Sequence, residues 1–348
     1  MPQIIDQMNT STPAAPHEGE KQAVNHAQGS AAVCVSVLIV AYNSLPLLAH
    51  CLASVPTACT SQGFEILLID NGDGSCAAYA AEHYPEVRVV PSRGNIGFAA
   101  GNNVLAAEAR GRYLLLLNPD MILFPAAIDA LLDGAAAHPE ASAWGGVTVD
   151  ADGVPDSGNA VPVPSLAEFA SAALGRSLQD KLPRDRLRHD GEVKVLMGGF
   201  VMIARKAWDA VGGFDERYFL YCEEVDLFHR LAAKGHRFWR IADARGQHLA
   251  GHGQGTSPMR TLYLAAGRAE FMRAHWSIPR RIAGLVLLWI AACERYVMGS
   301  LFGRWRPRLR ARNEALRLLV RRPWLWMRGY DEQNGLLVQL KRLGGKIS

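Results

Sequence analysis

The chain of 348 residues has six cysteines, at 34, 51, 59, 76, 222 and 293, with no C-x-x-C pair and no zinc-finger spacing. A small disulfide scaffold is thereby excluded, and free thiols are the default. Glycine has no three-residue period, 49% of residues are hydrophobic and the formal net charge is only +4. Collagen, coiled coil and a wholly disordered chain are excluded as well. No H-E-x-x-H motif occurs, and residues 1–32 lack the apolar run of a signal peptide, reading instead as a disordered tail. The remaining length suffices for one large domain or two modest ones.

What is present alternates. Val35–Ala41, Phe64–Asp70, Val87–Val90 and Tyr113–Leu117 are short apolar runs of the kind that form buried strands. Helix-like stretches lie between them near Pro46–Ala58, Ser75–His83 and Phe98–Ala109. Strands separated by helices predict βαβ units and a mostly parallel central sheet with helices on both faces. Residues 150–192, richer in Pro, Gly and Asp, read as an excursion. Patterning resumes at Val193–Ile203, with a helix near Cys222–Lys234 and a strand near Arg237–Ala242.

In open parallel sheets, ligands bind beyond the carboxyl ends of the strands. Each early strand here leads into short polar groups: Ala41-Tyr42-Asn43, Asp70-Asn71-Gly72, Asn95-Ile96-Gly97-Phe98 with Asn102 behind it, and Asn118-Pro119-Asp120. Turn chemistry accounts for any one of these segments. All of them on one sheet edge make a row of acceptors, donors and glycines suited to a nucleotide. Asp120 follows a leucine strand and a proline, so its carboxylate belongs either to a divalent-metal site or to the N-cap of a following helix.

Two further groups carry chemistry. On a helix starting near Cys222, Glu224 shares a stripe with Phe228 and Leu231, while Glu223, Asp226 and Arg230 share its neighbour. Clustered carboxylates raise the pKa of one member, which suits a general base. Asp226 and Arg230 read more simply as a structural ion pair. Downstream, His248 and His252 lie among glycines in Q-H-L-A-G-H-G-Q-G, a loop suited to metal or phosphate and equally to plain solvation.

The segments V-S-V-L-I-V-A-Y-N-S, L-L-I-D-N-G-D-G-S, N-I-G-F-A-A-G-N-N, L-L-L-L-N-P-D, G-G-F-V-M-I-A-R, G-G-F-D-E-R-Y-F-L-Y and E-E-V-D-L-F-H-R occur in this order. Together they resemble a family 2 glycosyltransferase of the GT-A fold, in its bacterial rhamnosyltransferase-like branch. The resemblance runs from about Val35 to Ser257. It implies inverting transfer from a nucleoside-diphosphate sugar with Mg²⁺ or Mn²⁺. Carried over by position, it makes Asp70 the reader of the base, with Ala41, Tyr42, Asn43 and Asn71 beside it. Asn95, Gly97, Phe98 and Asn102 become the loop at nucleotide and sugar. Asp120 becomes the last acid of a D-x-D-like motif in which Asn118 stands for the first. The family's base is usually an Asp; this sequence has Glu224 there, preceded by Glu223, and either carboxylate is a candidate. His248 matches a histidine that assists the metal, with His252 its rival.

Beyond residue 260 the character changes. Arg280–Arg328 holds twelve Arg, no Lys and two acids, a charge of +10 on a body of −6. Five of the eight tryptophans follow Ser257. Ile282–Cys293 is apolar but too short to cross a bilayer at ~1.5 Å per residue. An interfacial helix, or one docked on the catalytic domain, is expected over a spanning one. Arg with Trp is the composition of an interfacial anchor on an anionic membrane surface, the plainer alternative being a globular subdomain with a solvated basic face. For the family resembled, a lipid-linked or polysaccharide acceptor at the cytoplasmic face would make sense of such an anchor. No DNA- or RNA-binding motif accompanies the charge, so nucleic acid is not expected. The expected organisation is a tail at 1–32, a GT-A catalytic domain at 33–260 and a basic helical extension at 261–348. Rival functions are a nucleotidyltransferase, which needs a Gly-rich loop with Lys or Arg after the first strand where this chain has A-Y-N-S, and an inactive membrane-bound scaffold.

Overall fold

The computed structural model describes residues 32–150, 153–155, 160–176, 189–249, 258–302 and 307–330. The tail read at 1–32 therefore lies almost wholly outside the described residues, as do His252 and residues 331–348. The chain divides into two compact units: the described parts of 1–161, 182–214 and 227–252, and those of 162–181, 215–226 and 253–348.

In chain order the elements begin with β1 (Val35–Ala41), α1 (Leu45–Ala58), β2 (Phe64–Asp70), α2 (Ser75–His83), β3 (Arg88–Val90), α3 (Phe98–Glu108) and β4 (Tyr113–Leu117). Then come β5 (Met121–Leu123), α4 (Ala127–Ala137), β6 (Ala141–Val149), α5 (Leu166–Ala173), β7 (Gly191–Val193), β8 (Phe200–Ala204) and α6 (Arg205–Val211). The last are α7 (Glu223–Ala233), β9 (Arg237–His248), α8 (Pro258–His275), α9 (Ile278–Phe302), α10 (Pro307–Arg321) and α11 (Trp324–Met327). The first four strands and three helices fall where the apolar runs predict, within a residue at each end.

The strands of the first unit form one sheet in the order β3-β2-β1-β4-β8-β6-β9-β5, with β7 also on β9. β3, β2, β1 and β4 are mutually parallel. β8 runs against both β4 and β6, and β9 is parallel to β6. Two reversals around β8 restore the original direction, so the carboxyl ends of β1, β2, β4 and β9 lie on one edge. The sheet is thus mixed: parallel through its first half, antiparallel where β8, β5 and β7 join. Every residue of β1 and β2 is buried, as strands covered on both faces require.

The sequence carries no strand signal at β6, and the reason is its composition. Ala-Ser-Ala-Trp-Gly-Gly has little β propensity, yet all nine residues of β6 are buried. The glycines make room for neighbours: a Cβ on Gly145 would fall 2.5 Å from Leu196 Cδ2, and one on Gly146 2.0 Å from the Phe200 ring and 2.6 Å from the Ala244 carbonyl oxygen. Because a backbone atom blocks the second position, side-chain adjustment cannot absorb the extra methyl. Gly146→Ala is expected to cost about 1–3 kcal/mol, as overpacking of a tight core does, read as a fall in the urea midpoint.

In the second unit, α9 packs against α5, α8 and α10. It is twice the length of the apolar run Ile282–Cys293, because Tyr296, Val297 and Met298 continue the helix past Glu294 and Arg295. It is long and apolar enough to cross a membrane, but its Gly284, Leu288, Ala291, Ala292 and Gly299 are buried within the unit.

Candidate functional site

The first unit gathers the polar strand ends on its carboxyl edge. Ala41 and Asp70 are register partners at the ends of β1 and β2. Tyr42 is exposed, and Asn43 takes a left-handed φ of 48°, a conformation asparagine tolerates. A Cβ on Gly72 would lie 2.7 Å from Asn43 Oδ1 and 3.1 Å from Asp70 Oδ1. Glycine at 72 is what lets the turn after β2 close on the end of β1, a role that D-N-G read as plain turn chemistry does not reveal.

The Asp70 carboxylate is buried and accepts from Gly72 N at 2.7 Å and Ala77 N at 3.0 Å, the latter in the first turn of α2. It is locked in one orientation at the rim. Asn71 donates from Nδ2 to Gly97 O at 2.9 Å, tying the end of β2 to the loop before α3. Its Oδ1 is buried with no hydrogen-bond partner among the described residues. Asn95 Oδ1 accepts from Gly97 N at 3.1 Å, and Gly97 has φ 87°, so this turn needs both residue types. Phe98 opens α3 and stands 6.1 Å from the Phe214 ring. Asn102 is buried one turn further in and donates to Phe98 O at 2.9 Å, a bond internal to the helix.

Asn118 is fixed through its backbone: its N–H donates to Gly199 O at 3.0 Å, and its carbonyl accepts from Met121 N at 3.1 Å. A Cβ on Gly199 would lie 3.0 Å from Asn118 Nδ2, which explains one glycine of G-G-F-V-M. Asp120 does not cap a helix, because the strand β5 follows it directly. β5 pairs with β9 so that Met121 faces His248, and Leu249 N donates to Asp120 O at 2.9 Å. β9 extends six residues beyond the expected Ala242, so His248 ends a strand instead of floating in a loop.

The consequence is a contact of 2.9 Å between His248 Nε2 and Asp120 Oδ2. Asp120 Oδ1 is buried and has no hydrogen-bond partner among the described residues. Buried acceptors are nearly always satisfied, so Asn71 Oδ1 and Asp120 Oδ1 mark one edge as built to receive donors or a cation. Among the described residues no group of three or more His, Cys, Asp and Glu forms. A cation bound here would take a carboxylate oxygen and an imidazole nitrogen from the protein and leave the rest of its shell to ligand oxygens and water, as Mg²⁺ and Mn²⁺ commonly arrange.

The second unit carries the two glutamates. Tyr221 and Cys222 both have φ 70°, a left-handed kink that ends the approach to α7 and starts the helix at Glu223. Glu223 and Glu224 are buried, each with an Oε2 that lacks a hydrogen-bond partner among the described residues. Burial pushes both carboxyls above the usual range. The charge of Glu224 lifts Glu223 further, and the hydrogen bond between them favours the acid form of Glu223 and the carboxylate form of Glu224. Asp226 binds His275 Nε2 at 2.7 Å, holding this turn on α8. Arg230, in the first unit, donates to the carbonyls of Val211 and Gly213.

Residues 36–212 match the model of the family described as glycosyl transferase family 2. The N-acetylglucosaminyl-diphospho-decaprenol L-rhamnosyltransferase of Mycobacterium tuberculosis is 34% identical over 242 residues, covering 64% of this chain and 78% of that protein. Rhamnosyltransferase WbbL of Escherichia coli K12 is 27% identical over 201 residues, 54% of this chain and 74% of its own. Among solved structures, mannosyltransferase PcManGT from Pyrobaculum calidifontis, in complex with GDP-Man and Mn²⁺, aligns with a TM-score of 0.53 at 15% identity. That alignment covers 87% of this chain and 91% of that one, a likeness of fold.

Proposed function

The chain belongs to glycosyl transferase family 2 and has the GT-A fold; on that premise we propose that it moves a deoxyhexose such as rhamnose from a nucleoside-diphosphate sugar to a hydroxyl of a lipid-linked or surface-polysaccharide acceptor, with inversion. The Asp120–His248 pair carries this reading. It sets one unsatisfied carboxylate oxygen and one imidazole on the edge where four strands end. The rhamnosyltransferases named above support the sugar, and the decaprenol-linked acceptor in the name of one of them supports the lipid.

Asp70, locked by two backbone N–H groups, offers its remaining lone pairs to the base. The buried Asn71 Oδ1 accepts from nucleotide hydroxyls, and the glycines at 72 and 97 let the backbone approach. Asp120 and His248 would hold Mg²⁺ or Mn²⁺, which would supply charge neutralisation for the departing diphosphate. Glu224 takes the proton from the acceptor hydroxyl as that oxygen attacks the anomeric carbon. With a single base and no covalent nucleophile, configuration inverts. Transfer from a panel of nucleotide sugars to a prenyl-diphosphate-linked sugar, with and without Mn²⁺, tests the reading. No turnover with any donor would defeat it.

We place the enzyme on the cytoplasmic face of the membrane, lying on it rather than through it. Ile278, Ile282, Val286, Ile290, Val297 and Leu301 of α9 are each at least 40% exposed. They fall on one stripe at helical spacing and include no charge. The opposite face of α9 is covered by the same unit, so lipid can reach one side alone, as in an interfacial helix. Trp324 is exposed as well. Each aliphatic side chain transferred is worth ~1.5–3 kcal/mol. The double change Val286→Asp, Ile290→Asp is therefore expected to cut binding to anionic vesicles by about 100-fold or more while donor hydrolysis stays near wild type. Sedimentation with phosphatidylglycerol vesicles checks it.

A further inference from the structure

The turn into α7 is strained, and part of what restrains it comes from far along the chain. Tyr221 and Cys222 follow one another at φ 70°, a region that side chains with a Cβ seldom enter even singly. Such a pair persists only where its surroundings over-determine it. Two restraints are near. Asp226 N, in the first turn of α7, donates to Cys222 O at 3.0 Å. α8 presses on the turn at Gly267, where a Cβ would meet Tyr221 O at 2.5 Å and Cys222 Cβ at 3.0 Å.

The third restraint arrives across 110 residues. The Tyr330 hydroxyl donates to the carbonyl of Leu220, the residue before the strained pair, and lies 3.1 Å from the Tyr263 carbonyl oxygen. Tyr263 stands one helical turn before Gly267 on α8, so a single phenol ties the turn to the helix beside it. Its ring is buried, 6.4 Å from the ring of Tyr218 and 6.1 Å from that of Tyr263. The chain is built to deliver it. α11 packs on α8, with Trp326 buried and its Nε1 donating to Leu319 O on α10 at 3.1 Å. Gly329, at φ 77°, then turns the backbone beside the buried Glu270 carboxylate, with which a Cβ there would collide. Burial pushes the Tyr330 phenol well above its ordinary value, and Cys222 and Glu223 add to the push, so the hydroxyl keeps the proton it donates.

We propose that Tyr330 is a positioning residue for Glu224: by holding the turn at 220–222 it fixes where α7 begins and hence where the Glu224 carboxylate stands. The C-terminal segment then has a part in the chemistry besides the place at the membrane proposed above. The inference rests on the proposed role of Glu224 as base and deepens it.

Tyr330→Phe in the full chain keeps the ring and removes the hydroxyl. It is expected to lower kcat for transfer about tenfold or more, since small misplacements of a reacting group are costly, with KM for the nucleotide sugar within about twofold of wild type. Tyr84→Phe is the control. It removes a buried hydroxyl that donates to Ala49 O at 3.3 Å in the first unit, and should lower the melting temperature comparably with kcat near wild type. In the Glu224→Gln background, Tyr330→Phe should add less than about twofold, because the group it positions is gone. Backbone hydrogen exchange at 221–226 needs no turnover and should quicken about tenfold or more in Tyr330→Phe. Wild-type kcat in Tyr330→Phe, an undiminished further loss on top of Glu224→Gln, or unchanged exchange overturns the proposal. Full transfer by Glu224→Gln would take away the base and its positioning together. Faster exchange in a chain that turns over no nucleotide sugar would uphold the clamp on the turn while removing the proposed reaction, which keeps the two failures apart.

Discussion

Glu224→Gln is expected to lower sugar transfer by about 10²–10⁴-fold, the usual contribution of a positioned general base, with donor affinity unchanged. The amide matches the carboxyl in shape, so what disappears is the capacity to take a proton. Glu223→Gln is expected to do much less, because Glu223 acts as the acid partner of the pair and an amide N–H can still donate to Glu224. That contrast separates the two candidates the sequence left open. The wild-type rate should rise with pH through a value above the ordinary ~4.3 of glutamate, since burial lifts Glu224 and the reactive form is the carboxylate.

The same pair makes a stability prediction of definite sign. An acid whose folded pKa is raised contributes stability that is complete below the unfolded value and is lost as pH rises through the folded one. Glu223→Gln should therefore match wild type at acidic pH and melt higher at neutral to alkaline pH. Loss of activity in Glu224→Gln accompanied by higher stability is the signature of a buried base. A variant equally active and equally stable at all pH values would remove Glu224 from the mechanism.

The parts of the fold that were legible in the sequence are those where local pattern and burial agree. β1, β2 and β4 are unbroken apolar runs, and the helices between them are bounded by Gly, Asn and Pro, so both their extent and the polar rim at their ends could be read. β6 was missed because its residues were selected by Leu196 and Phe200, which reach it from elsewhere in the chain; no local signal announces that a Gly-Gly pair is a buried strand. The site divides in the same way. Asp70, Asn71, Asn95 and Asn118 announce themselves at strand ends, but the contact of Asp120 with His248 depends on a β5–β9 register across 128 residues. That register also shows why the extra length of β9 matters, since a strand ending at Ala242 would have left His248 without a fixed place. Asp226 illustrates the opposite limit: its neighbour Arg230 was visible in the helical spacing, whereas its bond to His275 was not.

Asp120→Asn is expected to reduce Mn²⁺-dependent transfer by about 10²–10³-fold, because a bound cation is worth several kcal/mol of charge stabilisation at ~1.4 kcal/mol per decade. The fold should survive the change. The β5–β9 ladder and the Leu249 N–H bond run through the backbone, and an asparagine can still hydrogen-bond His248. What it cannot do is present an anionic oxygen where Oδ1 now stands buried and unsatisfied. His248→Gln removes one neutral ligand and is expected to cost about 10–100-fold in metal affinity, the scale seen when a metal site's supporting groups are lost. Calorimetric titration with Mn²⁺ measures the binding, which Asp120→Asn should lose. Full activity in Asp120→Asn with unaltered Mn²⁺ dependence would move the cation off this edge, and with it the diphosphate that the edge is arranged to receive.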